Sequence, residues 1–428
     1  AQRGNRGWGY SDVLPYFRRS ERRMAGDADA TFRGSEGNLP ITDLEWRDPL
    51  CEAFIEGAME QGIPRNPDYN GTKQAGVSYV QRIIKNGRRI SAARGYLHPA
   101  MSRPNLTVRT HAQATSIVLE GKRAVGVRYA VNGQRVSTRA SREIILCAGA
   151  IDSPRLLMMS GIGPAQHLKD VGIDPLHDLP GVGANLQDHL TSALTVDTQP
   201  HASMNSSLVG IRKLLHGVRF LIRRDGAVTL GSSAAGAFVR SHPDIPHPDI
   251  QINFRPFSAM PGRKLAFEVE RQPRITATMA LLWPQSRGTL WLADNNPASR
   301  PFIDPAYLAS PNDSEAMVRG MRFLAQLFRT EPLAGLVISS TLPGDPTQSD
   351  GQVLEHIVAT AATMGHPAGT CRMGTDDSAV VDPQLRVHGI GGLRVADNSV
   401  MPSLTSGNTN APALMIGQKA ASFICADR

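Results

Sequence analysis

Residues 364–374 combine one histidine, His366, and one arginine, Arg372, with a high density of glycine and proline. Such a segment cannot form a regular helix, so its backbone must serve a local geometry. Imidazole exchanges a proton near pH 7, and a histidine held in a loop of this kind could act as a general base. An isolated histidine is by default structural, and most of the twelve here are interpreted in that way. His366 differs because a buried-type run and a second glycine- and asparagine-rich loop, residues 406–412, follow it.

A second candidate site lies where an apolar run passes into a turn and a helix, in residues 143–163. The run Glu143–Ala148 is nearly all apolar, which is typical of a strand buried on both faces of a parallel sheet. Ser153 is predicted to cap the following helix, with Pro154 at its first position and Gly161 at its end. A helix N-terminus beside the carboxyl end of a parallel strand is where doubly wound folds bind anionic or dinucleotide ligands. A plain junction without a ligand explains the segment equally well.

The composition limits the classes of protein to which the chain can belong. It has 428 residues, 41% hydrophobic and 20% charged, which is typical of a globular protein of two or three domains. The net charge is +8, but the basic residues are scattered in twos and threes, which argues against a nucleic-acid-binding surface. The four cysteines lie far apart, so we expect a reducing compartment and neither a zinc site nor a disulfide framework. No uncharged apolar stretch of 18 residues occurs, and no segment is expected to span a bilayer.

Four elements are predicted in the first quarter of the chain. They are a helix at 10–23, a helix that Asp48 caps and Gly62 ends, a strand at 77–83 and a helix at 89–97.

The remaining elements fall into two groups. Four short strands are predicted between residues 106 and 138, the first at 106–110, and this meander leads into the apolar run described above. From about residue 191 to 363 the sequence predicts an antiparallel sheet with two long helices, at 206–224 and 313–329. We interpret this second group as an inserted domain, because the chain afterwards returns to glycine-rich loop sequence.

The helix predicted at 206–224 is both amphipathic and basic. Its apolar residues fall on one side and its cations on the other, at Arg212, Lys213, Arg219 and Arg223. A basic amphipathic helix can lie on a membrane surface. Packing of the apolar side over a sheet explains the pattern equally well, and we favour that interpretation.

Several segments resemble the glucose-methanol-choline (GMC) oxidoreductase family. The family's HPxGTxRMG pattern is matched by residues 366–374, and its C-terminal pattern LRVxDxSxMP…GNxNAP is matched by residues 393–412. Residues 149–163 resemble the family's second signature, and the opening stretch 4–21 and residues 181–189 also match. The resemblance covers the whole chain, and each long motif is specific.

The resemblance implies an α/β fold with an FAD-binding doubly wound, three-layer domain and an α+β substrate domain, an antiparallel sheet with helices. It assigns residues 1–35, 86–190 and 367–428 to the FAD-binding domain. Residues 36–85 and 191–366 would form the substrate-binding domain. Family members carry a strand-GxGxxG-helix unit and a GGSS-type segment before the opening stretch, and neither occurs in this sequence. We therefore expect an N-terminally truncated FAD domain that lacks its first βαβ unit.

The resemblance also implies site residues. His366 matches the family's catalytic histidine, and Asn410 corresponds to a second active-site position whose amide would hydrogen-bond the substrate oxygen. Arg372 would be a structural brace. No metal site is implied. The positions that would contact the FAD cofactor, from its adenine to its isoalloxazine, are Ala114, Ala148, Gly149, Asp397, Asn398 and Thr409.

The implied function is the FAD-dependent oxidation of a primary alcohol to an aldehyde, with hydride transfer from the alcohol carbon to flavin N5 and His366 as base. A choline dehydrogenase and an alcohol oxidase that uses O2 are alternatives within the family. Many relatives carry an acidic residue before the position of Gly236, where Ala234 and Ala235 stand here. This difference favours a neutral alcohol over the choline cation. The alternative of another class is a truncated, non-catalytic chain that binds no flavin.

The expected partners are a small-molecule alcohol and an electron acceptor, either a quinone or O2. No nucleic acid is expected, and homo-oligomerisation stays open. We expect a cytoplasmic location, peripheral to the inner membrane if the electrons pass to a quinone.

Overall fold

The computed structural model describes residues 3–24, 26, 29–231, 233–261 and 267–427. Within them lie nine α-helices: α1 Tyr10–Ser20, α2 Pro49–Glu60, α3 His98–Ala100, α4 Gly149–Met158, α5 Ala165–Asp170, α6 Gly210–Arg223, α7 Pro311–Phe328, α8 Asp350–Ala359 and α9 Asn410–Ala426. The strands of the same described ranges are β1 Glu21–Arg23, β2 Leu39–Ile41, β3 Gly76–Tyr79, β4 Ile84–Lys85, β5 Arg88–Arg89, β6 Ala112–Glu120, β7 Arg123–Val131, β8 Gln134–Arg139, β9 Ile144–Leu146, β10 Ile162–Gly163, β11 His177–Asp178, β12 Leu190–Asp197, β13 Ala235–Val239, β14 Ile250–Arg255, β15 Ala259–Pro261, β16 Phe267–Val269, β17 Arg274–Leu281, β18 Thr289–Trp291, β19 Phe302–Asp304, β20 Ala362–Thr363 and β21 Leu393–Val395.

The largest sheet is antiparallel, as the alternating segments of the middle of the chain predict. Its six strands lie in the order β20-β12-β17-β14-β13-β3. Helices α2 and α7 pack on it, and the Phe54 ring of α2 stacks on Phe254 of β14 with ring centroids 4.6 Å apart. One hydrophobic cluster joins these elements. This side of the molecule is the antiparallel sheet with helices that the sequence predicts.

Helix α2 begins where the sequence places it. The Asp48 carboxylate accepts a hydrogen bond from the main-chain N–H of Leu50 at 2.9 Å, and Pro49 occupies the first helical position. An N-cap of this kind satisfies a donor that would otherwise be unpaired at the helix start, and it stabilises the protein by about 1 kcal/mol.

A second hydrophobic cluster joins β9, β21, α4 and α9 with one end of the β6-β7-β8 meander. Strands β9 and β21 pair in parallel, with Ile144 opposite Leu393 and Leu146 opposite Val395. Within the described residues this pair forms a two-stranded sheet of its own. The mixed α/β character of the fold is therefore confirmed, and the loop that follows His366 contributes Ala368, Cys371 and Met373 to this second cluster.

Four sequence expectations for local structure are wrong. Residues 106–110 run without a strand partner, so the meander has three strands and begins at Ala112. Ile145 of β9 is 37% exposed, so the strand is not buried on both faces. Ser153 does not cap α4, because the helix already begins after Ala148 and Pro154 lies inside it.

The fourth error concerns the helix predicted at 89–97. Residues 84–89 form instead a hairpin of β4 and β5, and a single wide helical turn at Ala93–Leu97 leads into α3. Asn86 and Gly87 both have positive φ angles, 52° and 69°, which is the geometry of an Asn-Gly hairpin turn. The turn signal was in the sequence, and the helical interpretation overlooked it.

Helix α6 departs from the interpretation that we favoured. No residue of α6 is buried, and the apolar side of the helix faces solvent and does not pack on a sheet. No described helix is long and apolar enough to cross a membrane.

Candidate active site

The loop that carries His366 is bonded to the segment after β21. The main-chain N–H of Gly369 donates to the Asn398 carbonyl at 3.2 Å, and those of Cys371 and Met373 donate to Ser399 at 2.8 Å and Val400 at 2.9 Å. Gly369 has a φ of 92°, and a Cβ there would lie 2.4 Å from the Asn185 carbonyl oxygen, so only glycine fits. The glycine density of the motif therefore serves a close approach of backbone segments.

The His366 ring is paired with a second imidazole, that of His189. Their Nδ1 atoms lie 2.9 Å apart, and His189 Nε2 lies 3.2 Å from the Leu282 carbonyl oxygen. A carbonyl only accepts, so His189 carries its proton on Nε2 and its Nδ1 accepts. His366 must then donate through Nδ1–H, which leaves its Nε2 unprotonated. The pair of rings thereby fixes the tautomer that a general base requires.

Asp188 holds the loop next to this imidazole pair. One carboxylate oxygen accepts a hydrogen bond from the main-chain N–H of His366 at 2.8 Å. The other oxygen accepts from the Tyr307 hydroxyl at 2.6 Å and from the Thr363 hydroxyl. The carboxylate is buried and contacts neither ring through a hydrogen bond, so it orients the loop and does not itself relay a proton.

Burial keeps both rings neutral at physiological pH. The pKa of His189 is lowered to about 4, first by desolvation and then by the neighbouring His366, while Asp188 acts in the opposite direction. Desolvation also lowers the pKa of His366, and Asp188 partly opposes this shift. A neutral imidazole with a free Nε2 is the form that can accept a proton.

The free nitrogen of His366 faces an amide. Asn408 Nδ2 lies 3.5 Å from His366 Nε2, and Asn408 Oδ1 accepts a hydrogen bond from the Gln251 amide at 3.1 Å. Asn410, the residue that the sequence resemblance selects, is exposed at the first position of α9. The structure thus brings Asn408 to the base, two residues before the expected position.

The cofactor edge is the set of residues at the carboxyl ends of β9 and β21: Ala148, Gly149, Asp397 and Asn398. One Asp397 oxygen accepts from the Gly149 main-chain N–H at 2.9 Å and from the Ser153 hydroxyl at 2.5 Å. The other accepts from the Ser399 N–H at 2.8 Å. Parallel strands place their carboxyl ends together, and the N-terminus of α4 lies at the same edge. Four of the six predicted cofactor positions are therefore brought together.

Two observations show that this edge fits a dinucleotide. Gly149 has a φ of 84°, and a Cβ built on it would meet no atom within 4 Å, so open space lies against the backbone at the start of α4. Asn398 Oδ1 is buried and has no hydrogen-bond partner within the protein. A helix N-terminus with open space and an unsatisfied polar atom is the kind of edge at which doubly wound folds bind FAD or NAD.

Two family models match most of the chain, both described as GMC oxidoreductase. The N-terminal model covers residues 1–191 and the C-terminal model covers residues 284–417. The chain belongs to the GMC oxidoreductase family. It is therefore an FAD-dependent oxidoreductase of the class that acts on CH–OH donors. The N-terminal match does not support the expectation of a truncated FAD domain.

Curated relatives agree with this GMC assignment. The chain is 38% identical to an alcohol dehydrogenase [acceptor] of Pseudomonas putida over 99% of its own length and 76% of the relative. It is 39% identical to a mitochondrial choline dehydrogenase of Homo sapiens, over 99% of this chain and 71% of the relative. Among solved structures, pyridoxine 4-oxidase from Mesorbium loti matches with 30% identity and a TM-score of 0.85, over 97% of this chain and 77% of that one.

The other two GMC-based cofactor positions lie apart from the cofactor edge. Thr409 is buried between Asn408 and α9, next to the base. Ala114 is exposed on β6, where it pairs with Tyr129 beside a register shift. Ala114 thus stays a prediction that rests on the resemblance alone. The expected brace, Arg372, forms an ion pair with Asp376 at 2.6 Å.

Three functional candidates escaped sequence reasoning: Asp188, His189 and Asn408. The first two lie in the matched segment 181–189, but nothing in the sequence pairs a histidine there with one 177 residues later. Asn408 lies inside the matched GNxNAP pattern, two residues from the asparagine that was chosen. Only the fold shows which of the two amides points to the imidazole.

Proposed function

We propose that this GMC oxidoreductase oxidises a neutral primary alcohol to an aldehyde and that His366 Nε2 accepts the hydroxyl proton. The observation that carries the proposal is the tautomer of the imidazole pair, in which His366 Nδ1–H donates to His189 and Nε2 is free. Bound FAD supplies the acceptor for the hydride of the alcohol carbon. The residues that would hold it are Ala148, Gly149, Asp397 and Asn398, with Thr409 near the base.

The proton moves from the alcohol oxygen to His366 Nε2. His189 orients the ring throughout, because its Nδ1 keeps accepting from His366 Nδ1–H. Asn408 Nδ2 donates toward the same region and would hydrogen-bond the substrate oxygen as negative charge develops on it. Asp188 lies close enough to favour the charged ring electrostatically, as its effect on the pKa of His366 shows.

The residues around Asn408 favour a neutral substrate. Gln251 is its hydrogen-bond partner, and the Phe238 ring lies close to Gly407, the preceding residue. Ala234 and Ala235 are buried beside them in the sheet and supply no carboxylate. Among the described contacts of His366 and Asn408 the one carboxylate is Asp188, and both of its oxygens are already used by protein donors. A quaternary ammonium ion would find no counter-charge in this set.

The test is the anaerobic bleaching of the bound flavin by a panel of alcohols. Primary aliphatic alcohols of increasing chain length and benzyl alcohol should reduce the flavin faster than choline does at equal concentration. Faster reduction by choline would reverse the substrate assignment in favour of choline dehydrogenase, which is the name of several relatives. Purified protein that stays colourless after incubation with FAD would support the non-catalytic alternative.

The electron acceptor is tested on the same reduced protein. Rapid reoxidation by air would identify an oxidase. Slow reoxidation by air with rapid reoxidation by a soluble quinone would identify a dehydrogenase.

The expected cytoplasmic location, the domain boundaries and homo-oligomerisation stay predictions of the sequence. The two hydrophobic clusters support a division into two domains near the base, because residues from 368 onward belong to the second cluster.

A further inference from the structure

Helix α6 carries an apolar face that nothing in the described protein covers. Its six large apolar side chains are between 43% and 76% exposed: Ile211, Leu214, Leu215, Val218, Leu221 and Ile222. On a helix of 3.6 residues per turn these positions span an arc of about 120°, so they form one continuous stripe. Single exposed leucines are common on protein surfaces, but a contiguous stripe of this kind marks an interaction site.

The stripe points away from the protein. The partly buried residues of α6 are His216, Gly217 and Phe220, which lie on the opposite side of the helix, and Arg224, the residue that follows α6, is partly buried as well. Phe220 and the Arg224 backbone approach Gly87 in the β4-β5 turn, and this contact fixes the rotation of the helix. Helix α7 shows the ordinary arrangement by contrast, because its apolar residues Met317, Met321 and Phe328 are buried.

Apart from Asp225, the charge around the stripe is positive. From residue 198 to residue 224 the chain contains no aspartate or glutamate. Arg212, Lys213 and Arg223 are exposed on α6, and no ion pair is found for them among the described residues. Arg219 does have an exposed ion-pair partner, Asp225, at 2.7 Å.

The adjoining hairpin extends the same charge. Lys85, Arg88 and Arg89 are exposed on β4 and β5, whose turn contacts the C-terminal end of α6. Six exposed cations for which no ion pair is found among the described residues thus lie beside an apolar stripe about 20 Å long, although one of them, Arg223, is near enough to Asp225 to lower the pKa of that carboxyl.

We propose that α6 and the β4-β5 hairpin dock this protein on an anionic lipid membrane. The stripe would enter the boundary between headgroups and acyl chains, and the arginine and lysine side chains would contact the anionic headgroups. The charge decides between occupants: a second copy of this chain would bring six like charges against six, whereas an anionic bilayer complements them. The proposal is independent of the alcohol that the enzyme oxidises.

The experiment is co-sedimentation of the flavin-loaded protein with vesicles of phosphatidylcholine containing 30% phosphatidylglycerol. We expect binding to these vesicles, weak binding to pure phosphatidylcholine, and release at high salt because the attraction is screened. The triple variant Arg212→Gln, Lys213→Gln and Arg223→Gln should lower the partition coefficient about 100-fold. The triple variant Ile211→Gln, Leu215→Gln and Ile222→Gln should lower it at least tenfold.

Two matched control variants distinguish docking through α6 from nonspecific effects of net charge or of exposed apolar surface. Lys122→Gln, Arg135→Gln and Arg142→Gln together remove the same charge from exposed sites on and beside the β6-β8 meander and should leave binding unchanged. Met59→Gln, Met101→Gln and Val358→Gln together remove three other exposed apolar side chains and should also leave it unchanged. All four variants should keep the wild-type rate of flavin reduction, which shows that they fold.

A second measurement reports the helix itself. Leu214→Trp places a fluorophore on the stripe, and its emission should shift to the blue on addition of anionic vesicles. Equal binding to neutral vesicles, or equal loss of binding in the control variants, would overturn the proposal. So would a dimer in sedimentation velocity that Ile211→Gln, Leu215→Gln and Ile222→Gln dissociate while the vesicles bind nothing, because the stripe would then be a contact between copies.

Discussion

Two buried carboxylates hold the two functional loops of this protein, Asp188 beside the imidazole pair and Asp397 at the cofactor edge. Both accept hydrogen bonds from main-chain N–H groups and hydroxyls. Asp397 is itself part of the cofactor edge, and open space lies against the Gly149 backbone whose N–H donates to it. Asp188 holds only the backbone of His366 and leaves its ring to His189.

The comparison shows that hydrogen bonds to a buried carboxylate can support two functions, the binding of a cofactor and the transfer of a proton. At the cofactor edge the Asp397 carboxylate holds the backbone against which FAD is expected to bind, so a substitution of this residue should release FAD. At the imidazole pair the rings control where a proton sits, so damage there should stop proton transfer while FAD stays bound. Five changes test this separation.

Replacement of the base should have the largest effect on turnover. His366→Ala should lower the rate of flavin reduction by roughly 10²- to 10⁴-fold, because the alcohol proton loses its acceptor. Stopped-flow absorbance under anaerobic conditions measures the rate, and the flavin content of the purified variant should equal that of the wild type. His242→Ala, at an exposed histidine, is the control. Unchanged bleaching in His366→Ala would remove His366 from the mechanism.

Replacement of Asp397 should have the opposite effect, because FAD should be lost and not only the transfer of the proton. Asp397→Ala leaves the Gly149 and Ser399 N–H groups and the Ser153 hydroxyl without their acceptor. We expect the free energy of unfolding to fall by about 3 kcal/mol and most of the FAD to be lost. Urea unfolding and the ratio of flavin to protein absorbance measure the two effects. A variant that retains full flavin would contradict the role given to this edge.

Acidification should weaken the fold through the imidazole pair. His189 is neutral in the folded protein down to pH 4, because its pKa is lowered to about 4, whereas in the unfolded chain it binds a proton below pH 6.5. The free energy of unfolding should therefore fall as the pH drops from 6.5 to 4, by about 2–3 kcal/mol. Urea midpoints across this window measure it. His189→Phe should flatten the slope, and an equal slope in that variant would assign the effect to other groups.

The positioning role of His189 predicts a smaller loss of activity. His189→Phe removes the acceptor of His366 Nδ1–H, so the proton can move to Nε2 and the base is blocked part of the time. We expect about a tenfold slower flavin reduction with normal FAD content. Nitrogen-15 NMR of the His366 ring should show a mixture of tautomers. His189→Gln should recover part of the rate, because its amide oxygen can accept the hydrogen bond. If the rate does not recover and the His366 ring of His189→Phe shows a single tautomer, His189 has only a packing role.

The smallest expected effect on the rate of flavin reduction distinguishes Asn408 from Asn410. Asn408→Ala should slow flavin reduction about fivefold, because one hydrogen bond to the developing charge is lost. Asn410→Ala should change the rate less than twofold, since the described hydrogen bonds of His366 include one from Asn408 and none from Asn410. The reverse ranking would restore the position that the sequence resemblance selects.

The sequence predicted the parts of the site that depend on local motifs. His366, Gly149 and Asp397 lie in motifs whose glycine and proline content dictates a loop, and the structure places them at strand ends or in loops. His189 could not be assigned in this way, because the contact depends on two segments brought together by the β12-β20 pairing nearby. The contact of Asn408 with His366 could not be assigned from the sequence either, because Asn408 and Asn410 lie in the same motif at the start of α9; the role of Asn410 stays a prediction.

The same contrast holds for the helices. The sequence periodicity predicts an apolar side for both α6 and α7. Helix α7 buries its apolar side, as expected. Periodicity defines where the apolar side chains lie on a helix but not what covers them. The two helices also differ in charge, because the cations of α6 are accompanied by no acidic residue within the helix, and such a pattern suits the lipid headgroups that we propose as its partner.

The hydrogen bonds that join residues 369–373 to residues 398–400 have a mechanical consequence. They attach residues 369–373, beyond His366, to the segment that follows β21, whereas residues 362–363, just before His366, form β20 of the six-stranded sheet. His366 therefore lies where the chain passes from the six-stranded sheet to the cofactor edge, and a displacement of either one would move the base. Substitutions in β14 should accordingly change the rate as well as the specificity, because Gln251 of that strand holds the Asn408 amide.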